Sequence, residues 1–173
     1  MPLNNIDLAQ VKKYESEIIA DDNEALFTTK MTGTWQFDEK GPQFTAEAKT
    51  TGHPVKLSLS HPNFDGPGVS PSPMAFGLFW IAGCASSTFM TSAAKRGIVI
   101  DSLVTDVEAD LDYHAQFNLG DQPLVGAYRV KFNVKSSASE EEIDGLRIAA
   151  LNGCMALYSI KTAVPLTVSY MRV

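Results

Sequence analysis

The residues best suited to covalent chemistry in this chain are its two cysteines, Cys84 and Cys154. A cysteine thiolate is a nucleophile, and the sulfenic acid that it forms with an oxidant condenses with a neighbouring thiol to a disulfide. A packing role is the simpler alternative, because cysteine is among the residue types most often buried. The question for the fold is therefore whether it brings the two thiols together.

Composition restricts the class of protein that positions them. With 14 Lys+Arg against 20 Asp+Glu, the net charge of −6 argues against a general nucleic-acid binder. A content of 45% hydrophobic and 20% charged residues is typical of a soluble globular domain. Two cysteines are too few for a disulfide scaffold, and no Cys/His cluster has zinc-ligand spacing, so we expect neither a metal nor another cofactor. Charges spread through the first 20 residues exclude a signal-peptide core and predict a cytoplasmic protein.

Hydrophobic periodicity predicts the order helix, three strands, long helix, two strands, long helix, strand. The predicted segments are a helix over 5–20, strands over 25–37, 43–49 and 54–60 in an antiparallel meander, a helix over 74–97, strands over 98–113 and 124–134, a helix over 139–161 and a strand over 166–170. No segment indicates a second domain. We therefore predict a single domain over 1–173, with 1–24 as an N-terminal helical extension.

The two strands after the first long helix carry opposite charges on their polar faces. The acidic face holds Asp106, Glu108, Asp110 and Asp112, and the basic face holds Arg129, Lys131 and Lys135. Opposite charges on facing strands attract one another, which favours an antiparallel pair. The second long helix begins at a capping box, formed by Ser139 with Glu142 three residues later.

The segment from Gly66 to Ala94 contains no charged residue. Its prolines, the last of them Pro73, leave a helix of roughly the minimum length for a membrane span. Glycines and hydroxyl side chains interrupt its apolar character, which favours a helix buried on nearly all sides of a soluble fold. A transmembrane helix is the less favoured alternative.

Six short motifs follow one another between Phe44 and the C-terminus. They are PMAFGLFWIAGC at 73–84, AKRGI at 94–98, VEADL at 107–111, SEEEI at 139–143, GC at 153–154 and VPLTV at 164–168. Their order and the separation of the cysteines resemble the OsmC/Ohr-like family, named for osmotically inducible protein C and organic hydroperoxide resistance protein.

The resemblance implies an α+β OsmC-like fold, in which antiparallel sheets wrap around two long central helices in an intertwined homodimer. It also implies that Cys84 attacks a hydroperoxide and that Cys154 resolves the sulfenic acid into a disulfide. A dithiol reductant then reopens that disulfide, and no cofactor takes part.

The chain departs from the family at the residues that activate the attacking thiol. Family peroxidases use an arginine from the early strands, held by a glutamate at the start of the first long helix. Here no arginine precedes Arg96, and Met74 occupies the glutamate position. Arg147 and Lys161 lie seven residues before and after Cys154, on nearly one helical face. Arg147 is thus a candidate for stabilising a thiolate; the alternative is a solvated side chain or one paired with Asp144 or a glutamate.

Three functions follow from these residues. The first is a thiol redox protein that reduces organic hydroperoxides in oxidative-stress defence. The second is a non-enzymatic dimer that binds a small hydrophobic ligand in an apolar cleft lined by Met74, Phe76 and Trp80. The third is a stress-linked dimer with no small-molecule role. In each case we expect a homodimer that binds neither nucleic acid nor membrane.

Overall fold

The computed structural model describes residues 2–64, 68 and 70–172. The chain divides into two units, Ala9–Phe79 and Trp80–Val173 together with Met1–Leu8. Within the described residues, four α-helices and five strands follow in the order α1 (Leu8–Ala20), β1 (Gly33–Trp35), β2 (Phe44–Ala48), β3 (Val55–Leu59), α2 (Pro73–Lys95), β4 (Ser102–Leu111), β5 (Val125–Lys135), α3 (Glu140–Gly153) and α4 (Met155–Lys161). The prediction of one domain over 1–173 stays a prediction, and Gly66 lies outside the described residues.

Helix α1 begins three residues later than the predicted Asn5. Asn4 and Asn5 have positive φ angles of 55° and 62°, a left-handed conformation that asparagine tolerates and that a helix cannot contain. The Asn4 side chain donates to the carbonyl of Ile98 at 2.8 Å and accepts from the N–H of Ile100 at 2.9 Å. This segment is therefore tied to the unit that contains α3 and α4.

The unit Ala9–Phe79 contains a three-stranded antiparallel sheet in the order β1-β2-β3. Its register pairs Trp35 with Phe44 and Phe44 with Leu59, which confirms the predicted meander. The predicted strand over 25–37 is wrong in length, because only Gly33–Trp35 pairs with a neighbour. Gly33 is required where it stands, since an added Cβ would lie 2.1 Å from the ring of Phe44.

The other unit contains an antiparallel pair, β4 and β5. Its solvent face has the predicted charge pairing: Arg129 donates to Glu108 at 2.8 Å and to Asp110 at 2.6 Å. The guanidinium lowers the pKa of the Asp110 carboxyl through its hydrogen bonds. The opposite face is apolar and places Leu103, Val107, Tyr128, Val130, Phe132 and Val134 toward the helices.

Helix α2 ends at Lys95, and the predicted stop signal Gly97 follows with a φ of 72°, a conformation that suits glycine. The N–H of Ile98 donates to the carbonyl of Ala93 at 2.9 Å and closes the last turn. The prediction that this helix is buried on nearly all sides is wrong for the single chain. Its fully covered residues lie mainly on one stripe, Ile81, Ala85, Phe89, Ala93 and Ala94, whereas Phe79 is 76% exposed and Trp80 49%. Of the described helices, only α2 is long and apolar enough to cross a membrane, a test that core helices also pass.

The C-terminal part departs twice from the prediction. The helix expected over 139–161 is interrupted at Cys154, which adopts an extended conformation with φ −85° and ψ 121°. The strand expected over 166–170 is absent from the described structure, and Leu166, Val168 and Tyr170 are at least 85% exposed. A strand needs backbone hydrogen bonds to a neighbouring edge, and none of the described strands pairs with this segment.

Candidate functional site

Helix α2 places Cys84 at the margin of its buried stripe. Ile81 and Ala85 are 2% and 0% exposed, and Cys84 beside them is partly buried. Thr88 donates its hydroxyl to the carbonyl of Cys84 at 3.1 Å, which satisfies that hydroxyl within the helix. The thiol is thus held on a rigid element near the protein surface.

Cys154 occupies the junction between α3 and α4. Its N–H donates to Ala150 at 3.0 Å as the last bond of α3, and its carbonyl accepts from Tyr158 at 2.9 Å as the first of α4. The α3 end of this element is fixed by the predicted capping box, because Ser139 accepts from the N–H of Glu142. Cys154 itself is 1% exposed.

The two thiols lie in one apolar cluster. Its buried members are Ile81, Ala85, Cys154, Ala156 and Leu157, with Cys84, Val107, Tyr128, Val130 and Phe132 packed against them. Gly153 permits this approach, since an added Cβ would lie 3.3 Å from the Thr88 methyl. Residues 70 positions apart in the sequence are thereby brought together, as the resemblance implied.

The pKa of the Cys154 thiol is raised above its ordinary value, first by burial and further by the neighbouring Cys84 thiol. The N–H groups of Leu157 and Ala156 at the start of α4 oppose this effect and lower the pKa, without reversing its direction. A thiol with a raised pKa is mostly protonated at neutral pH. Burial and the raised pKa both make Cys154 a poor nucleophile.

Arg147 has a partner close by on its own helix. Its Nε donates to the Asp144 carboxylate at 2.6 Å, which lowers the pKa of Asp144. This is the pairing that the sequence left open as the alternative to thiolate stabilisation. Arg147 is also half-exposed at the rim of a cavity that Leu157 helps to line. Its role toward a thiolate remains a prediction.

The three residues predicted to line an apolar cleft have different surroundings. Phe76 lines an apolar cavity of about 240 Å³ in the unit Ala9–Phe79, together with Met31, Phe44, Ala46, Leu57, Ser58 and Leu59. Met74 is partly buried beside Gly77, and Trp80 is half-exposed. Neither Met74 nor Trp80 is among the residues that line the Phe76 cavity.

Sequence reasoning missed the walls of the thiol cluster. Tyr128 and Val130 on β5, with Leu157 on α4, belong to the cluster that contains both cysteines, and only the alternation along β5 indicated an inward side chain there. Among the described residues, no group of three or more His, Cys, Asp or Glu side chains is arranged to hold a metal ion. The groups available at this site for chemistry are the two thiols.

Known structures and families place these features in a wider context. The chain is similar to an OsmC-like protein from Mycoplasma pneumoniae (17% identity, TM-score 0.59), covering 78% of this chain and 88% of that one. It is also similar to an organic hydroperoxide resistance protein OsmC from Legionella pneumophila, with 15% identity and a TM-score of 0.56, covering 79% of this chain and 92% of that one. A third similar structure is an OsmC-like protein of unknown function from Vibrio cholerae, with 14% identity and a TM-score of 0.51, covering 78% of this chain and 96% of that one. At these identities the likeness establishes the α+β fold.

Sequence similarity defines the family. No protein with a curated description matches the chain. The family described as OsmC-like protein matches residues 66–169, which is more than half of the chain and includes both cysteines. With the matching fold, this similarity shows that the chain belongs to the OsmC-like protein family.

Proposed function

We propose that this protein reduces organic hydroperoxides through a two-cysteine cycle, as part of oxidative-stress defence. The observation that carries the proposal is the placement of Cys84 and Cys154 in one cluster, close enough for one thiol to shift the pKa of the other. A sulfenic acid formed on one sulfur would then have a resolving thiol beside it. The walls around the thiols are apolar, which suits an organic peroxide better than a polar one.

The different exposure of the two thiols supports the order that we propose for the cycle. Cys84 is partly accessible, whereas Cys154 is 1% exposed and has a raised pKa. The Cys84 thiolate attacks the terminal peroxide oxygen, so that an S–O bond forms, the O–O bond breaks and the alcohol leaves with a proton. The Cys154 sulfur then attacks the sulfenic acid sulfur of Cys84, and a disulfide forms. The hydroxide that is displaced takes up the Cys154 proton and departs as water. A dithiol reductant returns both thiols and is itself oxidised to a disulfide.

The proposal includes a homodimer. Phe79 and Trp80 on α2 are 76% and 49% exposed, and Tyr170 in the C-terminal segment is 93% exposed. Apolar side chains exposed in such number are typical of a surface that is covered in the functional assembly. We expect sedimentation velocity to give twice the monomer mass of 18.8 kDa. Free thiols also suit a reducing compartment, which supports a cytoplasmic location.

Thiol counting tests the cycle. One equivalent of cumene hydroperoxide, added to reduced protein, should remove both free thiols faster than it oxidises free cysteine. In Cys154→Ser the sulfenic acid on Cys84 should persist and react with dimedone. The matched Cys84→Ser variant should give no dimedone adduct. A rapid adduct on Cys154 in that variant would exchange the roles, and unreactive thiols in the native protein would exclude the cycle.

A second candidate function is binding of a small hydrophobic ligand without redox chemistry. The apolar cavity of about 240 Å³ that contains Phe76 and Leu57 favours it. This second function predicts that the protein binds an apolar fluorescent probe saturably and that both of its thiols survive hydroperoxide treatment. Leu57→Trp would fill the cavity and should abolish that binding. Loss of the thiols with no probe binding would reject this candidate.

A further inference from the structure

A second open cavity of about 250 Å³ lies between β5, α3 and α4. Its apolar walls are Tyr128, Val130, Phe132, Leu151, Leu157 and Ile160. The volume is smaller than the roughly 300–1,000 Å³ of pockets for drug-sized molecules, so a short acyl or aryl group is the size that fits. Leu157 belongs both to this lining and to the cluster around Cys154.

Two cationic side chains stand at the mouth of this cavity. The Lys161 ammonium donates to the carbonyl of Leu151 at 3.1 Å, which holds it across the end of α3. Arg147 uses only its Nε in the 2.6 Å bond to Asp144, and its two Nη groups have no hydrogen-bond partner among the described residues. With Nε bonded to Asp144, the edge of the Arg147 guanidinium that carries the two Nη groups is available to another hydrogen-bond acceptor.

The charge balance at the mouth favours a monoanion. Of the described residues that line the cavity, Arg147 and Lys161 are charged and both are positive. Asp144 lies outside this lining and neutralises one of them, which leaves one net positive charge. A carboxylate matches this charge and the fork of the guanidinium, whereas a phosphate monoester brings a second negative charge close to Asp144.

We propose that this cavity binds a small monocarboxylate with an apolar chain, its carboxylate between Arg147 and Lys161 and its chain against β5. This ligand site goes beyond the hydroperoxide chemistry and does not depend on it. Neither thiol lines the cavity, so occupation can be measured while both thiols remain intact.

Isothermal titration calorimetry with octanoate tests the proposal on the full-length reduced protein. Saturable binding at one site per chain is the expected result. Lys161→Gln should weaken octanoate binding by roughly five- to tenfold, the effect of losing one charged hydrogen bond near the surface. Asp144→Asn removes the competing carboxylate and should tighten binding by a few-fold. Both changes are at exposed positions and should leave the fold intact.

Two further ligands separate the contributions of head group and chain. Octanol keeps the chain without the charge, so its affinity should be lower and should not change in Lys161→Gln. Octyl phosphate should bind less well than octanoate to the native protein. Absence of octanoate binding, or equal octanoate affinity in the native protein, Lys161→Gln and Asp144→Asn, would overturn the proposal. The dimedone result for Cys84 judges the hydroperoxide cycle separately, because it reports sulfenic acid and not ligand occupancy.

Discussion

The two units of this chain differ in how much of their apolar surface they bury themselves. In Trp80–Val173, Phe89, Leu146 and Ala150 are fully buried in one cluster, and Cys154 and Leu157 are buried in a second. In Ala9–Phe79, the described residues that are buried are Ala46, at 8% exposed, and Ser60, at 1%. Burial of apolar area drives folding, so the first unit contains most of the stabilising core. The thiols lie in that better-packed unit.

Because of this difference, the two units leave different groups accessible to solvent. Ala9–Phe79 keeps an open apolar cavity against its sheet and exposes Leu26, Phe27 and Met31. Trp80–Val173 buries Cys154 and leaves Cys84 partly accessible. Precise geometry is easier to maintain in a closely packed region, which suits chemistry that needs two sulfurs in contact.

The largest effect should come from the core of Trp80–Val173. Leu146 is 0% exposed, and Leu146→Ala should lower the free energy of unfolding by about 2–5 kcal/mol through lost burial and the cavity left behind. Leu26→Ala is the matched control in the other unit, because Leu26 is 75% exposed, and should change stability by less than about 0.5 kcal/mol. Urea unfolding measures both. Equal losses would remove the contrast between the units.

The two thiols should differ strongly in reactivity within their shared cluster. Iodoacetamide should label Cys84 at least ~10-fold faster than Cys154, because Cys154 is buried and its pKa is raised. A raised pKa also means that the folded state holds the Cys154 proton more tightly than the unfolded state. The resulting stabilisation of the folded state is fully present below the pKa that Cys154 has in the unfolded chain. It is lost as pH rises through the higher pKa that Cys154 has in the folded protein. Cys154→Ser should reduce this alkaline loss, measured as the unfolding midpoint against pH.

A smaller effect is expected at the start of α3. Ser139→Ala removes the side-chain acceptor for the Glu142 N–H and should cost about 1 kcal/mol. Ser159→Ala is a matched control, since its hydroxyl bonds back to Met155 within α4 and caps no helix. If both serines prove equivalent in thermal unfolding, the capping box does not stabilise the element that presents Cys154.

The smallest effect should come from the charged face of β4 and β5. Arg129 lowers the pKa of Asp110 from its ordinary value of 3.8. Stability from this pair is therefore present above that ordinary value and lost as pH falls through the lower, folded pKa. Because both side chains are exposed, the contribution is modest and should weaken in high salt. Asp110→Asn should flatten the acidic limb of stability against pH, and Asp121→Asn on a loop should not.

Local patterns made part of the fold and of the site predictable. The charges on β4 and β5 alternate with apolar residues, and the ladder pairs Glu108 with Arg129 as that alternation indicates. The ends of the long helices were also predictable, since Gly97 terminates α2 and Ser139 caps α3. Such signals depend on neighbours within a few residues, so sequence alone contains them.

Other features depend on partners that are distant in the sequence. The break at Cys154 was not predicted, because its 153–161 segment has helical periodicity and no proline. The expected strand over 166–170 has the required alternation, yet alternation cannot supply the neighbouring edge that a strand needs. Arg147 was a candidate for the thiols, and its distance from Asp144 depends on a rotamer that sequence does not specify.

The sequence by itself determined which groups are available: two thiols on separate helical segments, a capping box and a pair of strands with complementary charges. Their types and local spacing are independent of tertiary packing. Tertiary structure decided that Cys84 and Cys154 share one apolar cluster and that they differ in accessibility. Those properties arise because α2 and the α3–α4 junction pack against β4 and β5, and burial by distant segments sets both the proximity of the two thiols and the direction of the Cys154 pKa shift.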